Sequence, residues 1–281
     1  MQNAFSEPQD INVLMRQGHI YIADIEELCI DLVRKHCRRL GRPVTVLEIG
    51  CASGITSQRL ARELPEAKII AHEEYAPFAA LATERLRDTR VVLRSEPLSD
   101  LREPVDVILS AGAHHHLPSD YLHHARSLLR DDGAFVLADE FCPEYCTAEE
   151  LAHLSRAPAI HLAHGYVLTS LDEIEQYRRA GTLPARAREM EGRRRRALWH
   201  WYRFVVDQAI SGGHIEVAVA ELQSARDDLV TGEEAEHKLA PSIVERQIAL
   251  AGFHIARKHV LGPPQDPSLH SMITYELEAA R

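Results

Sequence analysis

Basic charge is in deficit: 32 lysines and arginines stand against 42 aspartates and glutamates, a net charge of −10. A field of that sign does not favour nonspecific binding to nucleic acid. No apolar run approaches the length of a membrane span. Cysteine is scarce and odd in number. Cys29, Cys37, Cys51, Cys142 and Cys146 are irregularly spaced, which argues against a disulfide framework. The opening residues, MQNAFSEPQD, hold neither a basic stretch nor an apolar one. No signal peptide is expected, and the cytoplasm is the expected compartment. There is no internal repeat and no low-complexity segment. What is present is ordinary for a globular protein, 45% hydrophobic and 26% charged residues. The length suits one large α/β domain, or a core domain with a substantial insertion.

The stretch Val44 to Gly54, VTVLEIGCASG, organises the chain. It is a β-branched and aliphatic run ending in an acid, then a glycine, three small residues and a second glycine. Ile55, Leu60 and Leu64 follow at helical spacing, so the stretch reads as a buried strand, a tight turn and a helix. Further strands are expected at Ile69–Ile70, Val91–Leu93, Val105–Ser110 and Ala134–Ala138. Helices are expected between them at Pro77–Leu86 and Tyr121–Leu129, the last stopped by Asp131-Asp132-Gly133. This alternation predicts a mostly parallel sheet with helices on both faces.

Before the sheet, a helix runs from Ile25 to about Leu40 and stops at Gly41-Arg42-Pro43. Residues 1–43 read as an N-terminal helical segment. Its Tyr21 is either a packing residue or part of a lid over a ligand. From Cys146 to Glu236 no strand is expected. Helices at Leu171–Ala180, Arg186–Ile210 and Ile215–Leu229 make 146–236 a helical cap inserted into the core. The core resumes at 237–281 with a helix from Pro241 to Leu250, a strand at His254–Leu261 and a last strand at Ser271–Leu277, the final two antiparallel. The core is thus 44–145 with 237–281.

Gly50 and Gly54 let backbone turn sharply and approach a ligand, and a helix N-terminus follows them. Glu73 lies at the end of the second strand, twenty-three residues beyond Gly50. An acid there accepts the two hydroxyls of a ribose. These residues point to an adenosine-bearing cofactor and leave open whether it is a dinucleotide or S-adenosylmethionine.

Four stretches taken in order decide between them. Val46–Gly54 resembles the first motif of class I S-adenosylmethionine-dependent methyltransferases, hydrophobic-acid-x-Gly-x-Gly-x-Gly. DVILSAGAHHHL at 106–117 resembles their fourth-strand motif, LRDDGAFVLA at 129–138 their glycine turn and fifth strand, and Ala251-Gly252-Phe253 the tripeptide before their sixth strand. The resemblance covers about 44–140 and 237–278. It implies a Rossmann-like class I sheet, mostly parallel with the last strand antiparallel, and S-adenosylmethionine as cofactor. It implies that Glu48, Gly50, Cys51 and Gly54 shape the turn holding the methionine part of the cofactor. Glu73, or Glu74 if the strand ends one residue later, binds the ribose. Ser95 and Glu96 lie by the adenine, and Ser110, Ala111 and Gly112 border the sulfonium. Three departures stand out: Ala52 replaces the central glycine, the second strand ends in Glu-Glu, and the usual aspartate of the adenine loop is missing.

Acceptor chemistry is expected beyond strands four and five. In the run His114–His116, His115 or His116 is either a base on the substrate side or a solvent-facing residue. With His123 and His124 nearby the run still lacks a ligand spacing with a carboxylate, so no metal is expected. Asp139 and Glu140 follow the fifth strand, with Tyr145 beyond; they either bind and deprotonate an acceptor or cap the loop. Trp199 and Trp201 either anchor the cap, or one of them closes over the sulfonium or an apolar acceptor. Arg193–Arg196 reads as a solvated helix face.

The function expected is a small-molecule transferase using S-adenosylmethionine, a methyltransferase first of all. One alternative on the same fold consumes the aminocarboxypropyl arm, by transfer or by cyclisation as in azetidine-2-carboxylate synthases, and releases methylthioadenosine. Two others are a noncatalytic cofactor-binding scaffold and an RNA methyltransferase. The expected partner is a small acceptor, or none beyond S-adenosylmethionine. The oligomeric state, monomer or homodimer, is not set by the sequence.

Overall fold

The computed structural model describes residues 10–118, 120–163, 166–231 and 237–280. Nearly all of the opening segment read above for a leader, residues 1–9, lies outside the described residues. In chain order the elements are α1 (Ile11–Gly18), α2 (Ile22–Leu40), β1 (Thr45–Ile49), α3 (Ile55–Glu63), β2 (Lys68–His72), α4 (Ala76–Leu86), β3 (Val92–Arg94), β4 (Val105–Ala111), α5 (Tyr121–Leu128) and β5 (Leu129–Glu140). They continue with α6 (Ala148–Leu154), β6 (His161–Ala163), β7 (Tyr166–Leu168), α7 (Leu171–Ala180), α8 (Ala185–Ser211), α9 (Ile215–Arg226), α10 (Pro241–Leu250), β8 (Phe253–Leu261) and β9 (Met272–Ala279).

Seven strands form one sheet in the order β3-β2-β1-β4-β5-β9-β8. The pairs from β3 to β5 are parallel, and β9 runs antiparallel to both β5 and β8. The central strands are apolar without alternation because helices cover both faces; Val107, Ile108 and Leu109 in β4 are each fully buried. The strand order reverses between β1 and β4, so their carboxyl ends open a crevice, the place where sheets of this kind bind ligands.

Two expectations fail locally. The cap contains a strand pair, β6 with β7 in antiparallel register. Each strand has only three residues, too few for alternation to show in the sequence. The turn expected to end α5 lies inside β5. The helix stops at Leu128 and the strand begins at once, and residues 130–133 loop out of register opposite Asp106, between the pairs Val105–Leu129 and Val107–Ala134. The Asp106 carboxylate fixes this end of the sheet, accepting from Thr45 N at 2.7 Å and from Arg42 at 2.6 Å.

The cap shares the core of the sheet. Leu137, Phe141, Met190, Leu198, Trp201 and Tyr202 belong to one buried apolar cluster. At the other side α1 packs on α2 and α9. The N-terminal segment therefore bridges the sheet and the cap.

Candidate active site

The turn after β1 is built on positive φ. Gly50 stands at +70°, Ala52 at +47° and Gly54 at +79°. A Cβ on Gly50 would lie 2.4 Å from the Cβ of Ala113, in the loop after β4, so only glycine lets the ends of β1 and β4 close together. Ala52 occupies the left-handed region with a side chain, at a cost of roughly 1–2 kcal/mol. Its N–H donates to Glu73 Oε2 at 2.9 Å, and the other Glu73 oxygen accepts from Tyr75 N at 2.8 Å. Glu73 is thus clasped beneath the glycine turn. Its neighbour Glu74 is half exposed and turns away, accepting from Leu98 N at 2.6 Å. Helix α3 starts beside the turn, and no side chain caps its first N–H groups, which leaves them available to an anion.

The remaining residues around the turn have distinct places. Glu48 is buried and accepts from Ser57 on α3. Burial, added to by the charges of Glu26 and Glu73, pushes its carboxyl up to about 8 against the Ser57 hydrogen bond. Cys51 is buried, and burial raises its thiol. Ser95 is exposed after β3, and the Glu96 carbonyl lies 2.9 Å from His72 Nε2. Ser110 is fully buried at the end of β4. Gly112, at φ +70°, donates to the Ala138 carbonyl at 2.9 Å. Ala111 is the half-buried link between them.

Beyond β4 and β5 an acid and a histidine are paired. The His114–His116 segment forms one 3-10 turn. Asp139 accepts from His115 N at 2.9 Å and faces His115 Nδ1 at 2.8 Å; Glu140 N donates to it at 2.7 Å. The carboxylate contact places the ring proton on Nδ1 and the basic lone pair on Nε2. Burial raises Asp139, partly offset by the histidines. His114 Nδ1 lies 2.8 Å from the Tyr121 hydroxyl, and burial lowers its pKa. His115 and His116 lie ring against ring at 3.9 Å.

A family model described as a methyltransferase domain matches residues 47–135. That match runs from β1 into β5, the part of the sheet that carries the glycine turn. Among solved structures, the CurJ carbon methyltransferase is similar at 15% identity and TM-score 0.54, over 96% of this chain and 58% of that one. The chain thus spans a little over half of that relative. An S-adenosylmethionine-dependent methyltransferase from Clostridium acetobutylicum is similar at 12% identity and TM-score 0.52, over 96% of this chain and 98% of that one. No curated protein sequence matches.

The cap supplies the wall facing the ends of β4 and β5. Trp201 on α8 is fully buried; its indole N–H donates to Glu140, and Tyr21 stacks on its ring at 6.3 Å and 15°. Trp199 is half exposed. Tyr145 is buried with a hydroxyl that has no partner among the described residues, and its carbonyl accepts from Arg193 at 3.0 Å. The N-terminal segment closes the other side. Asn12 Nδ2 reaches Ser53 Oγ at 3.4 Å, and Arg85 bridges the Ser53 carbonyl at 2.8 Å and Asp10 at 2.6 Å.

The arginine run is not a solvated face. Arg194 is 2% exposed and binds Glu191 at 2.7 Å and Asp228 at 2.5 Å, and Arg193 pairs with Glu150. Only Arg195 and Arg196 are exposed. A basic cavity of about 420 Å³ lies elsewhere, along the flank of α3, lined by Arg16, Arg59, Arg62 and Arg85. Three of these already pair with acids, and the cavity is away from the paired Asp139 and His115.

Sequence reading missed His19, Lys238 and Glu221. They come from the end of α1, the approach to α10 and the middle of α9, and no spacing links them.

Proposed function

We propose that the protein is a methyltransferase acting on a small acceptor, with S-adenosylmethionine as the methyl donor. The observation that carries this reading is the Gly50–Gly54 turn with Glu73 clasped beneath it, at the point where the strand order reverses. Glycine at 50 lets the end of β1 lie against the loop after β4, where a Cβ would meet Ala113. The residues fit the cofactor. Glu73 uses one lone pair of each oxygen on backbone and keeps others for ribose hydroxyls, and the uncapped start of α3 suits a carboxylate. When bound, the cofactor supplies an already activated electrophilic methyl group.

The protein then has to position and deprotonate. Asp139 fixes the His115 ring, so its Nε2 is the basic nitrogen for an acceptor that must lose a proton. Tyr21, Trp201 and the cap exclude water from this side. The pairing of Arg193 and Arg194 with acids within the cap supports a small acceptor over RNA. Among the described residues no helix is long and apolar enough to cross a membrane.

The test is incubation with S-adenosylmethionine, with and without candidate acceptors, followed by mass analysis of the nucleoside products. S-adenosylhomocysteine formed only when an acceptor is present is the expected result. Methylthioadenosine released from S-adenosylmethionine alone would replace methyl transfer by use of the aminocarboxypropyl arm.

A further inference from the structure

The cavity of about 420 Å³ beside α3 is walled by stripes of two helices. On α3 its lining residues Ile55, Gln58, Arg59 and Arg62 recur at the spacing of one helix face. On α1 Val13, Arg16 and Gln17 do the same. Arg85, near the end of α4, adds a third side. None of the lining residues is an acid.

Acids hold these guanidinium groups from outside the cavity and leave N–H donors over. Arg16 Nε pairs with Glu26 at 2.5 Å. Arg59 is held by Glu63 at 3.0 Å and by Glu27, with Glu26 at 3.7 Å. Arg85 donates from Nε to the Ser53 carbonyl and from Nη2 to Asp10. Arg62 is exposed, and no acid among the described residues pairs with it. A guanidinium carries more N–H groups than one acid can take. The terminal nitrogens of Arg16, Nη1 of Arg85 and the whole fork of Arg62 remain for a ligand. Because the acids offset much of the local charge, the site selects by the direction of its donors.

Donors from three helices approach from three sides. A carboxylate offers two coplanar oxygens to them. A phosphate or diphosphate spreads its oxygens in three dimensions, and each arginine fork matches a pair of them. The volume falls in the range of small-molecule sites, roughly 300–1,000 Å³, and exceeds what a bare phosphate needs. Val13 and Ile55 offer apolar contact to the rest of the molecule. We infer that the cavity binds a small molecule through a phosphate or diphosphate group. S-adenosylmethionine carries no phosphate, so this is a second ligand.

The experiment uses the full chain and calorimetry at constant ionic strength. Orthophosphate, pyrophosphate and phenyl phosphate are titrated against acetate and citrate, first alone and then with S-adenosylhomocysteine saturating. Pyrophosphate or phenyl phosphate is expected to bind about tenfold more tightly than citrate, whether or not S-adenosylhomocysteine is present. Arg62→Gln is expected to weaken that binding by about tenfold with an unchanged melting curve. Arg196→Gln, at an exposed arginine of the cap, is expected to leave it near the starting value. Equal losses in the two variants would reduce the effect to general charge and overturn the site. Absence of phosphate binding would do the same. Citrate binding as tightly as the phosphates would overturn the ligand class, and so would single-stranded RNA binding more tightly than either through Arg62. Displacement of pyrophosphate by S-adenosylhomocysteine would put the anion at the uncapped start of α3 instead. The phosphate titrations are read without the cofactor as well, so failure of S-adenosylhomocysteine to bind would count against the methyltransferase reading alone.

Discussion

Glu73 is the residue on which cofactor affinity should turn most sharply. Its two oxygens hold Ala52 N and Tyr75 N, so it shapes the turn as well as facing the crevice. Losing a charge-assisted acceptor costs about 1.5–3 kcal/mol, and Glu73→Ala is expected to weaken S-adenosylhomocysteine binding by roughly tenfold to a hundredfold in calorimetry. Glu74→Ala, on the half-exposed neighbour, is expected to leave it near the starting value. The reverse pattern would move the ribose role to Glu74. Glu48 gives a prediction in pH. Its folded pKa is raised from 4.5 to about 8, so the folded state holds a proton that the unfolded chain has already released. Stability from this group is complete below about pH 4.5 and falls as pH rises to about 8, by at most about 1.4 kcal/mol per pH unit. Glu48→Gln keeps a partner for Ser57 and removes the titration. Urea unfolding from pH 5 to 8 should show a flatter stability profile in the variant; parallel profiles would mean that Glu48 is ionised in the folded protein.

Helix α8 carries a buried ion-pair network. Its Arg194 is held by Glu191 and Asp228, all three buried. Removing the cation takes the buried guanidinium from both Asp228 and Glu191, leaving Glu191 only the half-exposed Arg195, at a cost of about 3–5 kcal/mol. Arg194→Met should therefore lower stability in denaturant titration by that order. Arg195→Met, next to it and half exposed, should change stability by less than about 1 kcal/mol. Equal effects would mean that the run behaves as a surface after all. The sequence could not separate these two residues: both sit in an unbroken run of four arginines, and the distinction comes only from Asp228, which α9 and the turn after it bring against α8.

At the scale of the molecule, the N-terminal segment is pinned at both ends of the site. Asn12 reaches Ser53 of the glycine turn, Asp10 reaches Arg85 of α4, and Tyr21 lies on Trp201 of the cap. A ligand seated at the glycine turn tightens a segment held in this way. Amides of residues 11–22 are expected to exchange more slowly with S-adenosylhomocysteine bound, and Arg85→Ala should remove much of that protection. Unchanged exchange would leave Tyr21 a packing residue and no part of a lid. The single apolar cluster running from β5 into α8 makes the cap part of the folding unit, not a module on a hinge.

The sheet was legible in the sequence because its strands are short apolar runs closed by glycine turns, and its parallel sense follows from alternating strands and helices. The glycine turn and Glu73 were legible for a similar reason: their chemistry depends on spacing within two consecutive strands. Asp139 and His115 were readable as candidates but not as a pair, since hydrogen bonding between residues 24 apart is set by how the ends of β4 and β5 align. The β6–β7 pair was too short to carry a period. Glu140 was readable as a candidate, but His19 and Glu221, which pack around it, were beyond any local pattern, because a buried polar cluster is specified by three elements packing together. By itself the sequence determined the fold and named candidates for the cofactor side of the crevice; the tertiary structure alone decided what faces it, because that wall is assembled from residues some two hundred positions apart.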